Sequence, residues 1–136
     1  MKETQFENVV RKTGKKPVEC KCHSCKMQCK NQTCIGTPED MEKLVNAGYS
    51  NRLAPAIWHV GKMYGIIDHD VNIIAPRFDK VKGACTFFTE DGLCELHEKG
   101  LKPTEGRLSI HTTDAFSSIQ EFKKKSIAWA VIKHWM

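Results

Sequence analysis

Residues 20–34 read C-K-C-H-S-C-K-M-Q-C-K-N-Q-T-C, and this stretch holds five of the seven cysteines in the chain. The other two, Cys85 and Cys94, lie about fifty residues downstream, so the chain is expected to return there and meet the first group. Thiols concentrated in this way point to a metal. Thiolates are soft, charged donors for zinc and iron, and short intervals along the chain lower the entropy of bringing four of them together.

The intervals are C-x-C, C-x2-C, C-x3-C and C-x4-C, then C-x8-C from Cys85 to Cys94 and C-x2-H from Cys94 to His97. Only Cys22/Cys25 and Cys94/His97 have the compact gap of a zinc knuckle, so this is not a simple finger. The expected ligands are Cys20, Cys22, Cys25, Cys29, Cys34, Cys85, Cys94 and His97. These eight donors are the number that two closed tetrahedral zinc sites require. Iron is the alternative, and a single four-cysteine [4Fe–4S] cluster with three spare thiols satisfies the same sequence. Five donors within 20–34 are one too many for a single tetrahedral ion, so the cluster reads as half of a site that the distant region completes. His23 could replace one Cys as a ligand, but its expected place is beside the ligands or facing solvent.

The chain has 136 residues, enough for one modest core, and its 40% hydrophobic and 27% charged content are those of a folded protein. Residues 1–19 read as a polar, basic lead-in and 20–136 as one metal-binding domain. In the lead-in only Phe6, Val9 and Val10 could pack, as a short helical turn. No apolar run approaches the roughly 18 residues needed to span a bilayer, and Met1 to Val10 lacks the apolar segment of a secretory signal. The expectation is a soluble cytoplasmic protein with no membrane partner. In that compartment thiols stay reduced, and an odd cysteine count argues further against a disulfide framework. Seven thiolates holding two divalent ions would bring the formal charge of +5 down to about +2, a balance that does not argue for nucleic acid.

The clearest helix signal is G-T-P-E-D-M-E-K-L-V-N-A-G-Y. Thr37 is the N-cap, Pro38 stands where a missing N–H costs nothing, Glu39 and Asp40 face the positive helix end, and Gly48 is the stop. A helix over about 38–47 follows. Residues 56–60, 63–67 and 71–74 are short apolar or alternating runs and predict strands of a small antiparallel sheet. Asp68, His69 and Asp70 read as a polar turn, since consecutive side chains do not converge on one point. Thr86 to Thr89 and Leu93 to Leu96 flank Glu90-Asp91-Gly92, a hairpin signal that would bring Cys85 near Cys94 at its open end. Residues 98–111 are expected as a loop. From Thr112 or Thr113 a helix is expected to about residue 133, with Lys123, Lys124 and Lys125 on its solvated face. The predicted architecture is α+β: a small single domain stapled by a Cys-rich metal site, with a short antiparallel sheet or hairpin and two main helices at about 38–47 and 113–133.

The chain resembles the YkgJ-type cysteine-cluster family, the CxxCxxCC group of zinc- or iron-chelating domains. The resemblance rests on Cys22-x2-Cys25-x3-Cys29, the T-P-E-D helix start, and C-T-F-F-T-E-D-G-L-C-E-L-H followed by Lys102-Pro103. It covers about Cys20 to Arg107, and the hairpin portion is its most specific part. The family's paired Cys-Cys is absent, and Gly106 stands where the family usually has its last Cys. Cys20 and His97 are the residues that could make up those losses. The resemblance implies a metal-chelating domain whose biochemical role is poorly defined.

Three functions compete. In the first, the metal is mainly structural and the surface serves a protein or small-molecule partner, which suits a core this small. In the second, a metal with an open position or a free thiolate does chemistry, although no nucleophile and base pair emerges near Arg77-Phe78-Asp79-Lys80 or Glu105-Gly106-Arg107. In the third, Lys15, Lys16, Lys21, Lys26, Lys30 and the 123–125 run bind nucleic acid through a zinc module. The first is preferred and whether the protein is an enzyme is left open.

Overall fold

In the computed structural model, which describes residues 2–15, 34–89, 94–96, 99–108 and 118–136, the chain is α+β. Its described residues form six α-helices and two two-stranded antiparallel sheets. The lead-in contains more structure than one turn. Thr4 and Glu7 exchange hydrogen bonds in a capping box that starts α1 (Gln5–Thr13). Val9 on this helix is wholly buried against Leu108, Ile127, Ala130 and Val131.

The second helix, α2 (Pro38–Asn46), begins where the sequence predicts. Thr37 and Asp40 form its capping box, Pro38 occupies the first turn, and Met41 and Leu44 point into the core. A 3-10 turn over Ser50–Arg52 leads into β1 (Leu53–Trp58), which pairs with β2 (Val71–Pro76) in the register Trp58 with Val71 and Ala56 with Ile73. One face of this ribbon turns Trp58, Val71, Ile73 and Ala75 inward, while Ile57 and Ile74 on the other face are exposed.

The run 63–67 is not a strand. The connection from β1 to β2 carries a helical turn, α3 (Val60–Met63), followed by turn and bend residues. Gly61 explains why the chain coils there, because it lets the turn close over the indole of Trp58. A Cβ at this position would lie 2.6 Å from Trp58 Cζ3 and 3.0 Å from Ile67 Cγ1. Trp58 is itself stacked on Trp129, with ring centroids 6.0 Å apart, and cannot recede freely. Gly61→Ala is therefore expected to destabilise the protein by about 1–3 kcal/mol through overpacking. Thermal unfolding checks this, and the near-UV circular dichroism of the tryptophan pair should change with it.

A second ribbon went unread in the sequence: β3 (Phe78–Asp79) pairs with β4 (Ala84–Cys85), Phe78 opposite Cys85. The expected hairpin after it survives as one antiparallel bridge between Phe88 and Cys94. Its Glu90-Asp91-Gly92 turn lies outside the described residues. The expected loop over 98–111 contains α4 (Thr104–Leu108). The predicted carboxyl-terminal helix is two helices, α5 (Ile119–Lys125) and α6 (Ile127–Ile132), ending in a 3-10 turn over Lys133–Trp135. Ser126 divides them: its backbone is extended, and its hydroxyl accepts the Trp129 N–H to cap α6. The expected caps at Thr112 and Thr113 lie outside the described residues.

Among the described residues three apolar clusters result. One lies between the β1–β2 ribbon and Phe122, Trp129 and Ile132. One lies between α1, α4 and α6, and one gathers Met41, Leu44, Cys85, Phe87 and Leu96. Ile35 touches the first two and Trp135 joins the first to the third. The Trp135 indole N–H also donates to the Gly36 carbonyl at 2.8 Å. No helix among the described residues is long and apolar enough to cross a membrane.

Candidate metal centre

Cys85 is set in place by the β3–β4 turn. The Asp79 carboxylate accepts the backbone N–H groups of Val81 and Lys82 at 3.0 and 3.1 Å, turning the chain so that Ala84 and Cys85 run back along Phe78 and Asp79. Cys94 arrives opposite Phe88, and the Glu95 N–H donates to the Phe87 carbonyl at 2.7 Å. Both cysteines border the cluster of Met41, Leu44, Phe87 and Leu96, with Cys85 buried and Cys94 partly so. Burial pushes the Cys85 thiol above its ordinary pKa, and negative charge on nearby Cys94 adds to the rise. A cation bound at the Cys85 sulfur would offset this rise by stabilising the thiolate.

Arg52 braces both flanks of this pair. Its carbonyl accepts the Arg77 N–H and the Thr86 hydroxyl, next to Cys85, at 2.8 and 3.1 Å. Its guanidinium donates to both carboxylate oxygens of Glu95, next to Cys94, at 2.8 Å, which holds that carboxyl below its ordinary pKa. The same guanidinium lies 5.3 Å from the Phe87 ring centre. Nothing local in the sequence marks Arg52 for this role.

Cys34 stands at the entry to α2, and α4 secures the chain beside it. The Ile35 N–H donates to Glu105 Oε1 at 2.9 Å, and the Glu105 N–H donates back to the Ile35 carbonyl at 3.1 Å. Five residues further on, Asp40 Oδ2 accepts the Thr37 N–H, the Thr104 N–H and the Thr104 hydroxyl at 2.9, 2.9 and 2.5 Å. Asp40 thus closes its own helix and supplies the first turn of α4 with an acceptor. The Cys34 thiol rests against α4 at Gly106, where a Cβ would lie 3.1 Å from Cys34 Sγ and 3.0 Å from Lys102 Cε. A glycine at 106 is what allows this approach.

Cys20, Cys22, Cys25, Cys29, His23 and His97 lie outside the described residues. Among the described residues no three His, Cys, Asp or Glu side chains converge as a metal-binding group. Asp68, His69 and Asp70 pair off as a polar turn: His69 with Asp68 at 2.9 Å, and Asp70 with His59 across the base of the α3 connection. The charged residues noted beside the second cysteine pair have roles in packing and turns. Asp79 closes the β3–β4 turn, Glu105 holds Ile35, and the Arg107 guanidinium sits 3.8 Å from the centre of the Phe6 ring. Comparison of the chain with family models, with curated proteins and with solved structures returns no match.

Proposed function

We propose that the chain is a small thiolate metalloprotein of the cysteine-cluster type, in which zinc, or iron in its place, ties residues 20–34 to the region of Cys85 and Cys94. The metal is mainly structural, and the surface serves a protein or small-molecule partner. The observation that carries this reading is the meeting of Cys85 and Cys94, from separate segments, at the edge of one apolar cluster. The resemblance to the YkgJ-type family points the same way. The donors fit a thiophilic ion in their chemistry, since soft thiols predominate among them.

Cys20, Cys22, Cys25, Cys29, Cys34, Cys85, Cys94 and His97 are the residues that would hold it. When bound, the ion contributes folding free energy as a cross-link between distant parts of the chain. The chain's own contribution is positional: Asp79, Arg52 and Glu95 orient the segments bearing Cys85 and Cys94, and Glu105 and Asp40 orient the segment bearing Cys34.

Metal analysis with an absorption spectrum of protein purified without oxygen tests the reading. About two zinc per chain and absorption confined to the ultraviolet are expected for the zinc form, whereas a brown protein containing iron and sulfide indicates the cluster form. Stripping the metal with a chelator is expected to abolish the cooperative thermal transition. Full stability without metal would count against a structural ion, and absence of any bound metal would overturn the proposal.

A further inference from the structure

We infer that Glu105 is a positioning residue for the Cys34 thiolate, a role that rests on the metal-binding reading above. The Ile35 N–H belongs to the peptide unit that leaves Cys34. Glu105 takes that N–H with its carboxylate at 2.9 Å and returns a bond from its own backbone N–H to the Ile35 carbonyl at 3.1 Å. One residue therefore grips Ile35 from both sides across a separation of 70 positions. With the 34–35 peptide plane held, the freedom left to the Cys34 side chain lies in its own ψ and χ1, and the contact of its sulfur with α4 restricts both.

The next residue in α4 supports this independently. At Gly106 a Cβ would meet Cys34 Sγ at 3.1 Å, so the helix that carries the gripping carboxylate is also the surface on which the sulfur rests. Glu105 sets the backbone, and Gly106 leaves room for the sulfur. Residues that orient a metal ligand in this way typically contribute 10–100-fold to metal affinity.

Cobalt(II), loaded in place of zinc, gives the test, because its sulfur-to-metal charge-transfer band reports the thiolates bound. Five proteins are compared: wild type, Glu105→Gln, Glu105→Ala, Cys34→Ser and the double variant E105A/C34S. Glutamine keeps an oxygen that can accept the Ile35 N–H, while alanine removes the acceptor but leaves the backbone bond from residue 105 to the Ile35 carbonyl. E105A is expected to weaken cobalt binding roughly 10–100-fold and to lower the band towards that of C34S. E105Q is expected to stay close to wild type. Adding E105A to C34S should bring little further loss, since both act on the same thiolate.

A purely structural role for Glu105 would lower the melting temperature and leave the band and affinity of the loaded protein at wild-type values. That result, or additive effects of E105A and C34S, would overturn the inference while leaving the metal reading intact. A wild-type protein with no thiolate band would overturn both. A C34S protein indistinguishable from wild type would remove Cys34 from the ligand set, and this inference with it.

Discussion

Replacing Asp40 by alanine is expected to cost about 3–5 kcal/mol of stability, because three buried donors lose a charged acceptor at once. Thr37 and Thr104 are wholly buried and Asp40 is 7% exposed, so water is a poor substitute for the missing oxygen. The loss falls on two helices. The Thr37 N–H belongs to the start of α2, and the Thr104 N–H and hydroxyl belong to the start of α4. Asp40→Asn keeps an acceptor of similar size without the charge and should cost less, about 1–2 kcal/mol, since charge-assisted bonds are roughly twice as strong as neutral ones. Thermal unfolding measures both, with the alanine variant expected to melt roughly 10–20 °C lower. Equal stability of D40A and wild type would show that Thr104 finds another acceptor.

Phe87→Ala should have an effect of comparable size, about 3–5 kcal/mol, for a different reason. Phe87 is 1% exposed and is the largest fully buried side chain among the described residues. It packs among Met41, Leu44, Cys85 and Leu96, with Tyr49 edge-on at 5.5 Å and the Arg52 guanidinium on its ring. Removing the ring opens a cavity that the two braced segments cannot readily collapse into, because Arg52 holds both. Denaturant unfolding is the suitable measurement, with Val81→Ser as the control. Val81 is fully exposed, so that variant should stay within about 0.5 kcal/mol of wild type.

What could be read in advance divides along a physical line. Helix α2 was legible because its start lies within four consecutive residues, Thr37 to Asp40, and its apolar face has helical spacing. The residues of α4 carry only loop signals in the sequence because their acceptor, Asp40, is 64 positions away, and no local window contains it. The break at Ser126 did have a local signal, a serine three residues before the Trp129 N–H that it caps, but apolar spacing continued across it and concealed the turn. The β3–β4 ribbon also carried usable signals in Asp79 and Gly83, although its strands are only two residues long. At the candidate centre, the antiparallel bridge between Phe88 and Cys94 followed from the β-prone runs on either side of Glu90-Asp91-Gly92. The grips of Arg52 and Glu105 did not, because charge alone does not reveal a partner 43 or 70 positions distant.

The corner where α2 and α4 begin also governs when this protein can fold. Closing it joins positions 64 and 70 residues apart, and the entropy of such loops must be overcome before the first bond contributes. The inward face of α1 waits on the same event, because Val9 is covered by Leu108 and by residues 127–131. Until those residues are available the apolar side of α1 has nothing to cover it, and a helix of nine residues is marginal without that packing. The amides of Ile35 and Thr104 are therefore natural reporters of the whole transition. In hydrogen exchange they should be released only when the two halves of the chain part, while the exposed end of α1 exchanges through local fraying.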